Sequence, residues 1–262
     1  MKQKGGTMIF ETHAHYDDEQ FDLDRDQLLG SMQKGGVGTI VNLGASLASS
    51  RASVSLAERY PFIYAAVGVH PDHAGEMDED GLRELRRLCG GDKVVAVGEI
   101  GLDYYWDEAP RDVQKEWFVR QLELAREMSL PVIIHSRDAA ADTLEIMQSH
   151  ARGLMGVIHC FSYSKELARE YVKMGFFIGV GGVVTFKNGR RLKEVVEDIP
   201  LSSIVLETDC PYLAPVPNRG KRNSSLNLPY VVKEIAEIKG ISCEEVVAQT
   251  EKNARILYGM RD

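Results

Sequence analysis

Two histidines, His13 and His15, follow a short apolar run near the start of the chain. Residues two apart in a β-strand point to the same face, so both imidazoles would converge on one point. A His-x-His pair alone is weak evidence for a metal site. The evidence becomes strong because other metal-ligating residue types recur at the ends of later apolar runs: Glu99, His135, His159 and Asp209.

Four imidazoles and two carboxylates are more ligands than a single tetrahedral zinc ion needs. This number suits two divalent cations, magnesium, manganese or zinc, about 3.5–4 Å apart with a carboxylate between them. Glu99 is the expected bridge. Asp209 is expected to bind one cation and to accept a proton from the attacking water as a general base.

Two further carboxylates share the strands of these ligands. If strand alternation holds, Glu11 and Glu207 point inward and lie one layer below the ligands. There they would accept N–H bonds from ligating histidines and hold the rings in place. The alternative is that local twist turns both side chains aside.

Such distant residues meet only if the fold brings many strand ends together. Eight strand-like runs are predicted, each followed by a helical pattern: Met8–His15, Thr39–Gly44, Tyr64–Pro71, Val94–Asp103, Pro131–Asp138, Gly156–Ser162, Phe176–Gly182 and Ile204–Pro211. Most are nearly continuous in Val, Ile, Ala and Gly, as in parallel strands buried on both faces. Possible ligands end five of these runs, and a closed α/β barrel of the (β/α)8 TIM type places all those ends at one mouth.

The segments between and after the strands are helical in pattern. Clear cases are Val113–Met128 and Lys165–Met174, and the tail Pro229–Tyr258 should include the last barrel helix. A chain of 262 residues without a linker or repeat suits one such barrel. We expect a flexible leader at residues 1–7 and a single TIM-barrel hydrolase domain at residues 8–262.

The composition of the chain limits which binding partners and which cellular compartment are expected. The net charge is −8, from 31 basic and 39 acidic residues, so the chain lacks the global basic surface of many nucleic-acid-binding proteins. No apolar run is long enough to span a membrane, and the N-terminal residues lack the hydrophobic segment of a secretory signal. The four cysteines show no paired spacing, which indicates reduced thiols and a cytoplasmic location.

An anionic substrate would therefore be bound by local positive charge. Barrel enzymes often bind phosphate with the loops after strands seven and eight, and here the last of these carries Arg219, Lys221 and Arg222. The aromatic residues that follow Glu99 on the same rim would stack on a nucleobase, with packing of their own loop as the alternative: Tyr104, Tyr105 and Trp106. His70, at the end of the third run, is expected to donate a hydrogen bond to an oxygen of the scissile group.

Taken together, these residues resemble the TatD family of metal-dependent hydrolases, within the amidohydrolase superfamily. The matching stretches occur in family order along nearly the whole chain from residue 8: Glu-Thr-His-Ala-His at 11–15, Gly-Val-His-Pro at 68–71, Gly-Glu-Ile-Gly-Leu-Asp-Tyr at 98–104, His-Ser-Arg-Asp-Ala at 135–139, His-Cys-Phe-Ser at 159–162, Glu-Thr-Asp-Cys-Pro-Tyr-Leu at 207–213 and Arg-Gly-Lys-Arg-Asn at 219–223.

The resemblance implies a two-metal deoxyribonuclease that cleaves DNA, as single strands or at chain ends, with a metal-activated water. His13 and His15 would hold one cation and His135 and His159 the other. Glu99 would bridge them, and Asp209 would complete the first site.

Two alternatives stay open. The same site could polarise the carbonyl of an amide or ester substrate, including an aminoacyl-tRNA ester. A non-catalytic binding role on a barrel scaffold would predict gaps in the ligand set, and this sequence has none. The oligomeric state is not readable from the residues.

Overall fold

The computed structural model describes residues 7–260. Within this range, one sheet of eight parallel strands follows the order of the chain. The strands are β1 (Ile9–Ala14), β2 (Val37–Leu43), β3 (Ile63–Val67), β4 (Val94–Asp103), β5 (Val132–Arg137), β6 (Gly156–Ile158), β7 (Phe176–Val180) and β8 (Ile204–Leu206). The α-helices are α1 (Arg25–Ser31), α2 (Leu47–Arg59), α3 (Glu79–Cys89), α4 (Arg111–Met128), α5 (Ala140–His150), α6 (Lys165–Lys173), α7 (Arg190–Asp198), α8 (Leu228–Lys239) and α9 (Cys243–Leu257). The predicted leader, residues 1–7, lies outside the described residues except for Thr7, which is exposed.

Contacts between β1 and the segment after β8 close the sheet. Ala14 and Cys210 form a parallel bridge. The backbone N–H of Asp209 donates to the carbonyl of His13 at 3.0 Å, and that of His15 donates to the carbonyl of Cys210 at 2.9 Å. The predicted (β/α)8 TIM barrel is confirmed, and its closing seam brings the two ends of the ligand set together.

The strands are buried on both faces, as their apolar runs predict. The barrel interior is filled by one set of side chains: Phe10, Val41, Leu43, Ile133, Val157, Phe177 and Val205. Leu257 and Tyr258, at the end of α9, pack against this set. The Tyr258 hydroxyl donates to the carbonyl of Thr12 at 2.8 Å, so α9 is joined directly to β1.

Three strands end four or five residues before the predicted points. β3 ends at Val67, β6 at Ile158 and β8 at Leu206, whereas the predicted ends were Pro71, Ser162 and Pro211. Just beyond β6 and β8, the backbone adopts positive φ at Cys160 (45°) and Asp209 (58°), a region that most L-residues avoid. These turns direct His159 and Asp209 to the barrel mouth from loops rather than from strands.

The predicted helical tail comprises two helices. α8 ends at Lys239 and is followed by Gly240, whose φ of 66° is the left-handed conformation that glycine tolerates at a helix end. Ser242 then begins α9 as its N-cap and accepts the N–H of Glu245. As for the membrane, the helices within residues 7–260 are all too short or too polar to span one.

Candidate metal centre

The six side chains predicted to bind metal lie together at the C-terminal mouth of the barrel. They come from β1, β4 and β5 and from the turns after β1, β6 and β8: His13, His15, Glu99, His135, His159 and Asp209. The two carboxylates differ in access to solvent. The Glu99 side chain is 5% exposed and the Asp209 side chain is 21% exposed. Asp209 is therefore the more exposed of the two acids.

Four atoms form a first donor set: His13 Nε2, His15 Nε2, Glu99 Oε2 and Asp209 Oδ1. The two nitrogens are 3.1 Å apart. Glu99 Oε2 lies 3.4 and 3.6 Å from them, and Asp209 Oδ1 lies 3.6 and 3.5 Å from them. A tetrahedral ion bound at about 2.1 Å places its ligands roughly 3.4 Å apart. The set therefore has the dimensions of a divalent-cation site.

The second oxygen of Glu99 belongs to another donor set. Glu99 Oε1 lies 2.9 Å from His135 Nδ1 and 2.9 Å from His159 Nε2. Those two nitrogens are 3.3 Å apart. Each oxygen of Glu99 thus faces its own group of imidazoles, which is the arrangement expected of a bridging carboxylate.

Hydrogen bonds at the far side of two rings decide which nitrogen can bind a cation. His15 Nδ1 donates to the carbonyl of Leu43 at 3.1 Å, and His135 Nε2 donates to Asp103 Oδ2 at 2.9 Å. Carbonyl and carboxylate oxygens only accept, so in the neutral rings the opposite nitrogens carry the lone pairs that can face the centre. Converging lone pairs with carboxylate oxygens among them fit divalent cations.

The charged groups of the centre set one another's protonation. Burial, together with the nearby His159, lowers the pKa of His13 to about 4. Burial acts in the same direction on His135, but the Asp103 and Glu99 carboxylates outweigh it and raise that pKa to about 9. Burial also opposes ionisation of Glu99, yet His159 and His13 hold its pKa well below its usual range. Glu99 is therefore an anion, the form that binds cations.

The expectation that Glu11 points inward is corrected by the structure. Phe10 packs in the barrel interior, so alternation turns Glu11 to the outer face, and an irregularity between Glu11 and Ala14 brings His13 back inward. Glu11 Oε1 accepts the backbone N–H groups of His13 at 3.1 Å and Thr208 at 2.9 Å, not an imidazole. Burial raises the pKa of Glu11 to about 8. Its contribution is to hold the seam between β1 and the turn after β8.

Glu207 does lie inside the barrel, beneath His159. Its Oε1 accepts the N–H of Cys160 at 2.5 Å and lies 3.9 Å from His159 Nδ1. Gly179 makes this possible, because a Cβ there would lie 2.3 Å from Glu207 Oε2. His159 Nδ1 and Glu207 Oε2 are buried without a hydrogen-bond partner in the described part of the chain. Burial raises the pKa of Glu207 to about 7.

Asp103 is a site residue that sequence reasoning missed. Besides accepting from His135, it accepts the backbone N–H groups of Tyr105 and Trp106 with Oδ1, both at 2.9 Å. One side chain thus holds a predicted ligand and the loop after β4. The signal that could have found it was its position four residues after Glu99 at the end of the same strand.

The donor sets open into a cavity of about 850 Å³, which His70 also lines. His70 Nδ1 accepts the backbone N–H of Asp72 at 3.2 Å, so the hydrogen of the neutral ring is on Nε2. That atom lies 3.8 Å from Glu99 Oε1. Burial and the neighbouring His135 lower the pKa of His70 to about 3. His70 is thus a neutral hydrogen-bond donor that faces the centre.

The predicted basic contacts do not line this cavity. Arg222 donates to both carboxylate oxygens of Asp24, at 2.8 and 2.6 Å, and is therefore already paired. The Arg219 guanidinium lies 4.3 Å from the centre of the Phe186 ring. Lys221 is exposed outside the cavity. The loop after β8 leads these side chains away from the mouth.

Tyr104 also lies outside the cavity lining. Its hydroxyl donates to Asp142 at 2.6 Å, and its ring lies under the Arg111 guanidinium at 4.1 Å. The structure therefore places Tyr104 in the loop-packing role that was the alternative. Trp106, two residues further along the chain, lines the cavity instead.

Comparisons with known proteins agree with this geometry. The sequence profile described as TatD related DNase matches residues 10–259. The Bacillus subtilis protein named "Uncharacterized metal-dependent hydrolase YabD" is 44% identical over 96% of this chain and 99% of its own length. The Cronobacter sakazakii protein named "3'-5' ssDNA/RNA exonuclease TatD" is 34% identical over 95% of this chain and 97% of its own.

Solved structures extend the agreement to the fold. The crystal structure of YJJV, a TatD homolog from Escherichia coli K12, matches with a TM-score of 0.90 at 31% identity, over 97% of this chain and 98% of that one. A phosphotriesterase homology protein from Escherichia coli shares the fold, with a TM-score of 0.71 at 12% identity. The resemblance to the TatD family is confirmed over residues 10–259 and in the fold. This chain belongs to the TatD-related DNase family of metal-dependent hydrolases.

Proposed function

We propose that this enzyme hydrolyses phosphodiester bonds of DNA, in single strands or at chain ends, with two divalent cations at the barrel mouth. The proposal depends on one observation: the two carboxylate oxygens of Glu99 face separate groups of imidazoles. The relative named a 3'-5' ssDNA/RNA exonuclease supports this class of substrate.

His13, His15 and Asp209 would hold one cation, and His135 and His159 the other, with Glu99 between them. When bound there, two divalent cations supply Lewis acidity and lower the pKa of water. Imidazole-rich ligation suits zinc or manganese better than magnesium, which prefers oxygen ligands.

The side chains divide the remaining work. Asp209, the more exposed carboxylate of the pair, accepts the proton of the attacking water. His70 donates from Nε2 to a non-bridging phosphate oxygen and so stabilises charge in the transition state. Asp103 keeps His135 in the orientation that the centre needs. No covalent intermediate with the protein is required.

We also propose a cytoplasmic location. The four cysteines are free thiols: Cys89, Cys160, Cys210 and Cys243. Thiols persist unpaired in the reducing cytoplasm, whereas oxidising compartments favour disulfides.

The test is a panel of three substrates, assayed with added magnesium, manganese or zinc: single-stranded DNA, bis-p-nitrophenyl phosphate and a p-nitrophenyl ester. We expect turnover of both phosphodiesters and its loss in Glu99→Gln. Turnover of the ester alone would overturn the proposal in favour of the ester-hydrolase alternative. If the metal-loaded protein turned over none of the three, the binding role would be favoured instead.

A further inference from the structure

The cavity in front of the metal ligands is strongly acidic. Six carboxylates line it: Asp17, Asp18, Asp72, Glu99, Asp103 and Asp209. Two divalent cations would neutralise at most four of these charges, so a polyanionic strand still meets repulsion there. Among the lysines and arginines of residues 7–260, Arg137 alone lines this cavity.

The Arg137 guanidinium has unused hydrogen-bonding capacity. The side chain is exposed, and in the described chain its N–H groups make neither an ion pair nor a hydrogen bond. It lies instead over two aromatic rings, 3.9 Å from the centre of Tyr105 and 5.6 Å from that of Trp106. Stacking of this kind holds the planar group by its face and leaves its N–H edges free for phosphate oxygens.

The aromatic rings stand on a fixed loop. Trp106 is 57% exposed and lines the cavity, and its ring is perpendicular to that of Tyr105 at 5.0 Å. The Asp103 carboxylate accepts the backbone N–H groups of Tyr105 and Trp106. The Gln114 side chain donates to the backbone carbonyls of Asp103 and Ala109, at 3.0 and 2.8 Å. The carboxylate that orients His135 therefore also positions these aromatic rings.

We propose that Arg137 and Trp106 form a nucleotide-binding subsite beside the bond that is cleaved. The guanidinium binds a phosphate that neighbours the scissile one, and the indole stacks on an unpaired base. This inference rests on the proposed phosphodiesterase function and makes its substrate class narrower. A base inside a duplex has no free face for stacking, so the subsite selects single strands.

The first test compares a substrate that reaches the subsite with one that does not. Oligothymidylate carries neighbouring phosphates and bases, whereas bis-p-nitrophenyl phosphate has neither. We expect Arg137→Gln and Trp106→Ala to lower kcat/KM for oligothymidylate by about tenfold, mainly through KM. On bis-p-nitrophenyl phosphate the same variants should stay within about twofold of wild type.

Arg111→Gln is the matched control, because Arg111 also stacks on a tyrosine of this loop but lies outside the cavity. It should leave both activities unchanged. An equal loss on both substrates in Arg137→Gln would overturn the inference, because it would indicate a general effect on the metal centre. Unchanged turnover of oligothymidylate in both variants would overturn it as well.

A binding measurement separates this inference from the proposed function. The chain has two tryptophans, and Trp117 is buried, so oligonucleotide binding should quench chiefly Trp106. In an Asp209→Asn background, oligothymidylate should quench this emission, and Arg137→Gln should weaken binding about tenfold. An abasic strand of equal length should bind without quenching.

Quenching that disappears in Trp106→Phe would support the subsite even if no phosphodiester were hydrolysed. Binding detected by anisotropy of a labelled strand with no change in Trp106 emission would overturn base stacking at this position. Failure of the proposed function alone would appear as quenching without turnover by the wild-type enzyme.

Discussion

Glu99 shows how single side chains define the chemistry of this centre. Its carboxylate is nearly buried, a location that disfavours an anion, yet the surrounding imidazoles hold it ionised. Its two oxygens point to different donor sets, at 3.4 Å from His13 Nε2 and 2.9 Å from His159 Nε2. Asp209 is more exposed than Glu99, with 21% of its side chain accessible, which is why we assign the proton transfer to it.

Asp209→Asn tests that assignment. The amide cannot accept a proton as the carboxylate does, so we expect kcat on bis-p-nitrophenyl phosphate to fall by about 10²–10⁴. The fold should persist, because the substitution conserves shape; circular dichroism and thermal unfolding check this. Asp92→Asn, at an exposed turn, is the control. Full activity in Asp209→Asn would remove the residue from the mechanism.

Asp103→Asn separates metal binding from loop structure. The asparagine oxygen can still accept from Tyr105 and Trp106, but its NH2 group would face the N–H of His135. We expect affinity at the second donor set to fall about 10- to 100-fold, measured by calorimetric titration with manganese. Asp142→Asn, in contact with Tyr104 but with no predicted ligand, should bind as wild type does. Equal affinities in the two variants would contradict the orienting role.

Among the elements, β4 and β5 show how the backbone positions the ligands. Gly101 of β4 pairs with His135 of β5, and its φ of 147° is open to glycine but strained for other residues. A Cβ at Gly101 would lie 1.9 Å from the His135 carbonyl oxygen. The close approach of these two strands, on which Glu99 and His135 lie, therefore requires glycine.

Gly101→Ala should consequently destabilise the protein by about 3 kcal/mol or more, since both backbone strain and a clash with rigid backbone are introduced. Urea unfolding measures this. Gly30→Ala provides the contrast, because Gly30 lies in α1 and a Cβ added there would have no neighbouring atom within 4 Å. Alanine there should stabilise the helix by about 0.5–1 kcal/mol. Similar unfolding curves for both variants would contradict the steric argument.

For the molecule as a whole, the barrel joins ligands from near the beginning and near the end of the chain. His13 and Asp209 are brought together by the hydrogen bonds of the closing seam. A cation bound between them would link both ends of the barrel, so binding and folding are thermodynamically coupled.

Metal removal should therefore lower stability as well as activity. At a free metal concentration 100 times Kd, binding adds about 2.7 kcal/mol. For a chain of this size that corresponds to roughly 5–10 °C in Tm. Scanning calorimetry of chelated protein, before and after addition of manganese, measures the shift. In Glu99→Gln, manganese should raise the Tm only slightly. A wild-type Tm that does not change when metal is added would argue against a metal centre shared by both ends of the barrel.

The barrel and the six proposed ligands could be predicted from the amino-acid order. Parallel strands buried on both faces leave continuous apolar runs, and barrel ligands come at their ends, so linear position carries the information. The predicted strand ends were four or five residues late at β3, β6 and β8. At β6 and β8 the reason is that the positive-φ turns at Cys160 and Asp209 leave no hydrophobic pattern.

Which polar groups pair with which could not be predicted in this way. Arg222 binds Asp24, which lies 198 residues earlier in the chain. Arg137 lines the cavity, and Asp103 joins His135 to the loop after β4. Charge and hydrogen-bonding capacity are properties of a residue, but a partner is set by distances between loops. Those distances exist only after the barrel has closed.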